Sequence, residues 1–295
     1  MKTYVLEWGP HRLELGPRTL IMGILNVTPD SFSDGGKYLR PEEAVARAQE
    51  MVNTGADIID IGGESTRPFS ETVTHEEEIR RVVPVIEALA QRVSVPISID
   101  TTKSAVAESA LRAGAAIIND IGALRMDPGL ADVAAEHNVP LILMHMQGTP
   151  RDMQIEPRYD DLFAEIKAFL EDAMETAEKH GIQKSKIIID PGIGFGKTKD
   201  HNLQILKHLD FLETLDRPVL IGPSRKAFIR KILNINNGPE LPPSHPLVET
   251  GTQAVIAAAI MKGAHIVRVH DVANTFATAT LLDSLKQATV GNETQ

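Results

Sequence analysis

The 295-residue sequence contains no cysteine. That excludes disulfides, thiolate nucleophiles and cysteine-ligated zinc together, and it suits a reducing compartment, so the expected location is cytoplasmic. A surplus of positive charge is also missing: 30 Lys and Arg against 40 Asp and Glu give a formal net charge of −10. An acidic chain is a poor partner for nucleic acid, although a local basic pocket remains compatible with it. Long apolar runs are absent too. The longest, Ala254 to Met261, is too short to span a bilayer. Met1 to Pro10 carries no basic-then-apolar leader pattern, so neither a membrane span nor an export signal is expected. What is present is ordinary for a globular chain, 42% hydrophobic and 24% charged. The length suits two small domains or one α/β barrel of about 250 residues.

Eight short apolar runs punctuate the chain, each closing on a polar residue or a turn. They are Leu20 to Leu25 before Asn26, Ile58 to Ile61 with Asp60 inside, Pro96 to Ile99 before Asp100, and Ala115 to Ile118 before Asn119. Then come Pro140 to Met144 before His145, Ile187 to Ile189 before Asp190, Pro218 to Ile221, and His265 to Val269 with Arg268 inside and His270 after. Unbroken β-branched runs fit strands buried on both faces. Between them lie stretches with helical periodicity, among them Pro41 to Asn53, His75 to about Ala90, Tyr159 to His180 and Thr252 to Lys262. Thr74 and Glu77 are spaced as a capping box. Asp127 is placed to cap the helix that follows it. Asn234 to Val248 is polar and proline-rich, and reads as a surface loop. Alternation of strand and helix predicts an α/β fold with a parallel sheet, and eight units predict a closed (β/α)8 barrel. Thr3 to Leu15 predicts a short hairpin around Trp8-Gly9-Pro10, plugging one end. The expected division is a hairpin over 1–17, the barrel over 18–288 and a frayed tail over 289–295.

The glycines at 192, 194 and 196, with Lys197 and Thr198, imitate a phosphate-cradling loop. Pro191 stands where that pattern needs glycine, so a mobile glycine turn after a strand is the simpler reading. Barrel closure gathers the strands' C-terminal ends at one mouth. The polar residues there are Asn26, Asp60, Asp100, Asn119, His145, Asp190, Lys226, Arg268 and His270. Asp100, Asn119 and Asp190 are acceptors and amides suited to a flat, donor-rich heterocycle. Lys226, Arg268 and His270, with Arg67, are donors suited to phosphate or carboxylate oxygens. Asn26 offers a neutral oxygen of the kind Mg²⁺ accepts when a phosphate completes its shell. The set predicts a site for a planar nitrogen heterocycle joined to an anionic leaving group. Asp60 and His145 receive no role in it.

Several separated motifs, in order, identify a family. Asn26-Val-Thr-Pro-Asp-Ser-Phe-Ser-Asp-Gly-Gly36 and Gly62-Gly-Glu-Ser-Thr-Arg-Pro68 resemble the first and second loops of dihydropteroate synthases. Asp190-Pro-Gly-Ile-Gly-Phe-Gly196, Ser224-Arg-Lys226 and Arg268-Val-His270 match later motifs, so the resemblance runs from about Leu20 to Leu282. It implies the same barrel, a homodimer, and a transferase of folate biosynthesis. That reaction joins p-aminobenzoate to 6-hydroxymethyl-7,8-dihydropterin diphosphate. It further implies that Asp100, Asn119, Asp190 and Lys226 hold the pterin. Asn26, through Mg²⁺, with Thr66, Arg67, Arg268 and His270, would hold the diphosphate. Phe32, Pro68 and Phe195 would wall the aminobenzoate pocket. Many relatives carry Ser where Ala227 stands, which leaves backbone N–H groups and Ser224 for the aminobenzoate carboxylate. The nearest rival is a pterin-binding methyltransferase module, which would have no use for the diphosphate cations or the first loop. A second is a Schiff-base aldolase, but it wants a lysine inside a strand, and Lys226 follows one.

Overall fold

Eight parallel strands form one sheet whose order follows the chain around a ring. The computed structural model describes residues 2–28, 41–65, 72–235 and 238–288. The expected site residues Phe32, Thr66, Arg67 and Pro68, and the expected tail over 289–295, lie outside the described residues.

A two-stranded antiparallel hairpin comes first, β1 (Tyr4–Trp8) and β2 (His11–Leu15). Alternate residues Leu6, Trp8, Leu13 and Leu15 are buried, so one face of the ribbon is apolar and packs on the body. The barrel strands are β3 (Leu20–Asn26), β4 (Ile58–Gly62), β5 (Ile97–Asp100), β6 (Ile117–Asp120), β7 (Leu141–Met144), β8 (Ile187–Asp190), β9 (Leu220–Ile221) and β10 (Ile266–Val269). Laddered pairing runs from β8 through β7, β6, β5, β4, β3 and β10 to β9. The ring closes through a single parallel bridge, Ile189 to Val219, and a 3.0 Å bond from the Ile189 N–H to the Pro218 carbonyl. The seventh run, expected as a four-residue strand from Pro218, pairs over only two residues as β9. Pro218 has no N–H to give to a ladder.

Helices cover the outside: α1 (Pro41–Asn53), α2 (His75–Ala90), α3 (Ser104–Ala113), α4 (Gly129–Glu136), α5 (Leu162–Lys179), α6 (Lys199–Lys207), α7 (Ala227–Leu233), α8 (Pro246–Met261) and α9 (Val272–Gln287). Thr74 caps α2 by accepting from the Glu77 N–H, but the Glu77 carboxylate turns to Arg80 and Arg81. The reciprocal box is found instead at α6, between Thr198 and His201. Asp127 accepts from the Gly129 N–H at 3.1 Å and also from the Ser104 N–H at 2.7 Å, so one carboxylate serves the first turns of α3 and α4. Helix α8 begins six residues before the expected Thr252, because Pro246 takes the first helical position and His245 caps it. Among the described residues no helix is long and apolar enough to cross a membrane.

The hairpin lies beneath the barrel, at the strands' N-terminal ends. The Lys2 carbonyl accepts from His265 Nε2 at 3.1 Å, just before β10, and Lys2 and the Tyr4 hydroxyl reach Asp216, before β9. Strand β1 also packs on the turn Lys184–Lys186 that leads into β8.

Candidate active site

Parallel register decides which side chains share a layer. Asn26 pairs with Gly62, Gly62 with Asp100, and Asp100 with Asn119, so these four residues form one row across β3 to β6. One pleat deeper, Asp60 pairs with Ile24 and Ser98. Residues two apart on a strand face the same way, so Asp60 lies directly beneath Gly62.

Arg268 crosses the barrel to this row. Its Nε donates to Asp60 Oδ2 at 2.6 Å and its Nη2 to Asp100 Oδ2 at 2.6 Å. Asn119 Nδ2 donates to the same Asp60 oxygen at 3.1 Å. Burial opposes the Arg268 charge, but the two aspartates outweigh it and raise the guanidinium above its ordinary value. Asp100 is pushed up to about 7 by burial, with Arg268 opposing. Asp60 Oδ1 and Asp100 Oδ1 are buried with no hydrogen-bond partner among the described residues. Two unpaired acceptors at a barrel mouth are costly, and a donor-rich ligand would satisfy them.

Asp190 stands on the next arc, where Met144 pairs with it. Its Oδ1 accepts from the Gly192 N–H at 2.7 Å. Burial pushes it up to about 6, while that bond, Lys226, Lys197 and Arg268 oppose the shift. Lys226 is the residue before α7, and its ammonium lies 3.7 Å from the centre of the Phe195 ring, a cation–π contact. Burial and Arg268 pull Lys226 down to about 7. Around Phe195 is a separate apolar cluster, Ile121, Met144, Met146 and Met153, at the ends of β6 to β8.

The loop after β8 is tightly packed, contrary to the mobile turn expected from its glycines. Its Gly192, Gly194 and Gly196 all have φ between 61° and 81°. A Cβ on Gly192 would overlap the His145 carbonyl oxygen, and one on Gly194 would meet Lys226 Cδ at 2.8 Å. Asn202 Oδ1 accepts from the Gly194 N–H, and the Tyr159 hydroxyl donates to the Gly196 carbonyl, both at 2.7 Å. Here glycine is required by left-handed backbone and close approach together.

Of the expected site residues, Asp100, Asn119, Asp190, Lys226 and Arg268 converge on one mouth. Asn26 joins them across Gly62, where the Asn26 and Asp100 side-chain oxygens are each 3.7 Å from the missing Cβ position. Phe195 lies against Lys226. Ser224 is turned to His270: its Oγ is 3.0 Å from His270 Nδ1 and accepts from the His270 N–H at 3.3 Å. The hydroxyl thus holds both the backbone and the ring of His270 in place. Three residues without an expected role are prominent. Asp60 anchors Arg268, and Lys197 and His145 form a buried pair, 2.8 Å from Nζ to Nδ1. Asp60 carried a signal, a lone acid inside an apolar run. Lys197 was hidden in the rejected phosphate pattern.

A closed barrel whose mouth combines three buried acids with an amide, an arginine and a lysine is of the pterin-binding class. The family profile described as pterin binding enzyme matches residues 22–270. The chain is 46% identical to the dihydropteroate synthase of Bacillus subtilis over 284 residues, 96% of this chain and 94% of that one. A Xanthomonas albilineans dihydropteroate synthase solved with 4-aminobenzoic acid superposes with a TM-score of 0.89 at 44% identity, covering 98% of this chain and all of that one. The Xanthomonas albilineans enzyme solved with 7,8-dihydropteroate gives 0.82 at 43% identity, covering 94% and 97%. The chain belongs to the dihydropteroate synthase family of transferases.

Proposed function

We propose that the chain condenses 6-hydroxymethyl-7,8-dihydropterin diphosphate with p-aminobenzoate to give 7,8-dihydropteroate and diphosphate, a step of folate biosynthesis. One observation carries the residue-level reading: the Arg268–Asp60–Asp100–Asn119 network and the Asp190–Lys226 pair face one mouth. Asp100, Asn119 and Asp190 take the donor edge of the pterin, and Lys226 reaches its ring above Phe195. The methionine cluster offers an apolar bed for a flat ring. The C–O bond to diphosphate breaks, leaving a cationic methylene conjugated to the pterin. The ionised carboxylates of Asp100 and Asp190 stabilise that charge. The amine nitrogen of p-aminobenzoate then forms the new C–N bond and gives up a proton to solvent. The chain's contribution is positioning and fixed charge.

Arg268 and His270 hold the diphosphate, with Thr66 and Arg67 of the second loop. Ser224 is assigned to His270, whose ring it positions, more than to the aminobenzoate carboxylate. Phe32 and Pro68 keep their proposed place beside the second substrate, with Phe195 on the pterin side of it. Among the described residues no group of three His, Asp or Glu side chains could hold a metal. A single amide oxygen from Asn26 fits a Mg²⁺ ion held mainly by phosphate oxygens and water. When bound, that ion would neutralise charge on the leaving group. We further propose a homodimer in the cytoplasm, formed on α8 and α9. Leu247, Met261, Phe276 and Leu285 are exposed there, and Leu281 is 68% exposed.

The test is turnover with both substrates. Lys226→Ala and Asp190→Ala should each reduce kcat/KM by about a hundredfold or more while thermal unfolding stays cooperative. Near-normal turnover in either refutes the site assignment. Calorimetry should show diphosphate binding in Mg²⁺ and a large loss of affinity in a chelator. Equal affinity in both refutes the role given to Asn26.

A further inference from the structure

The mouth holds a second buried lysine that the proposed reaction does not use. Lys197 is 2% exposed. Its Nζ donates to His145 Nδ1 at 2.8 Å and to the Phe195 carbonyl at 2.9 Å, and lies 3.5 Å from the His145 carbonyl. An ammonium has three protons, and three acceptors on two chain segments surround this one. To accept at Nδ1, the His145 ring must be neutral with its proton on Nε2. Burial holds it neutral, and Lys197 and Arg125 add to that effect.

The segment so tied shapes both the acid and the cation of the mouth. Between Asp190 and Lys197 lie the Gly192 N–H that holds the Asp190 carboxylate, Gly194 against the Lys226 stem, and Phe195 under the Lys226 ammonium. Lys197 also faces Asp190 as a cation: burial pulls the ammonium down to about 7, and Asp190 opposes that shift.

We propose that Lys197 is a positioning residue for pterin recognition: by tying the end of β7 to the loop after β8, it sets where Asp190, Phe195 and Lys226 meet the pterin ring. This rests on the proposed function for the identity of the ligand. Asp190 is faced by Lys197 from its own loop, by Lys226 from the start of α7 and by Arg268 from β10. Lys197 is faced in turn by Asp190, Lys226 and His145, with Arg125 and His201 beyond.

The test is Lys197→Met, which keeps the stem and removes the charge. We expect KM for the dihydropterin diphosphate to rise about tenfold, while KM for p-aminobenzoate stays within about twofold. The acid limb of kcat/KM should move to higher pH by about one unit, because Asp190 loses a facing cation and protonates more readily. Calorimetry with 6-hydroxymethyl-7,8-dihydropterin alone should show affinity about tenfold weaker, with no turnover involved. A tether without a recognition role would lower activity equally at every pH and leave the split between the two KM values untouched. That result, or unchanged pterin affinity, overturns the proposal. If Lys197→Met does not unfold cooperatively, Lys197→Gln replaces it. It retains a donor for the Phe195 carbonyl and loses the charge, so the same limb shift is expected. Failure of the wild-type chain to form any dihydropteroate would refute the proposed function instead, and pterin calorimetry would still decide the role of Lys197.

Discussion

Arg268 is divided between two carboxylates, and the division has consequences for each. Asp60 is fully buried and shares one oxygen between Arg268 and Asn119, so it fixes both residues at once. Asp60→Ala should therefore cost about 3 kcal/mol of stability, the usual penalty for leaving a buried cation half-paired. A urea denaturation midpoint equal to wild type would contradict this. Asp190 supplies a second prediction. Its proton affinity is raised by burial to about 6 and that of Asp100 to about 7, so kcat/KM should fall as pH drops through these values and first Asp100, then Asp190, takes up a proton. A rate flat from pH 7 to 5 would exclude an ionised Asp190 from the free enzyme's working state. Among these residues, Asn26, Asp100, Asn119 and Asp190 were legible in the sequence, because each is the first polar residue after an apolar run. Asp60 was visible, yet its partner was not. Only the parallel register shows that Arg268 reaches it across the barrel.

At the scale of elements, the strand order and the helix positions follow from periodicity, and the misjudged details have local causes. Capping is decided by which partner a side chain finds. Glu77 prefers two arginines to the start of its own helix, and His201 closes the box at α6 that its sequence neighbours gave no reason to expect. The loop after β8 is the clearest case. Its glycines suggest freedom, whereas packing uses them for proximity. Gly192→Ala should be among the most damaging single substitutions. The residue has φ near 70°, and the new methyl would collide with the His145 carbonyl. We expect a loss of at least about 2 kcal/mol and a collapse of activity through Asp190. Thr198→Ala, at the cap of α6, should cost only about 1 kcal/mol. Comparable melting temperatures for the two variants would show that the backbone there is not constrained as described.

Over the whole molecule, the barrel is laddered everywhere except between β8 and β9, and the hairpin crosses beneath that gap. His265 is the fastening. Its Nδ1 accepts from the Val219 N–H at 3.1 Å while its Nε2 donates to the Lys2 carbonyl, which fixes a neutral ring. Burial pushes His265 down to about 4 from an ordinary 6.5. The unfolded chain therefore binds this proton more readily. The contribution to stability is intact above about pH 6.5 and is lost as pH falls toward 4. His265→Gln should flatten that part of the stability curve, and an unaltered pH dependence would remove His265 from the account. Amide exchange at Ile189, whose N–H bonds across the bridged gap, should be faster than at laddered positions of the other barrel strands. The gap also decides which dimension of the mouth can give. The arc from Asn26 to Asn119 is stitched row by row and keeps its spacing, whereas Asp190 and Lys226 stand on opposite banks of the gap. A bulkier heterocycle would thus be admitted by parting that acid from that cation, so tolerance for ligand size should be one-sided, generous along the Asp190–Lys226 direction and strict along the other.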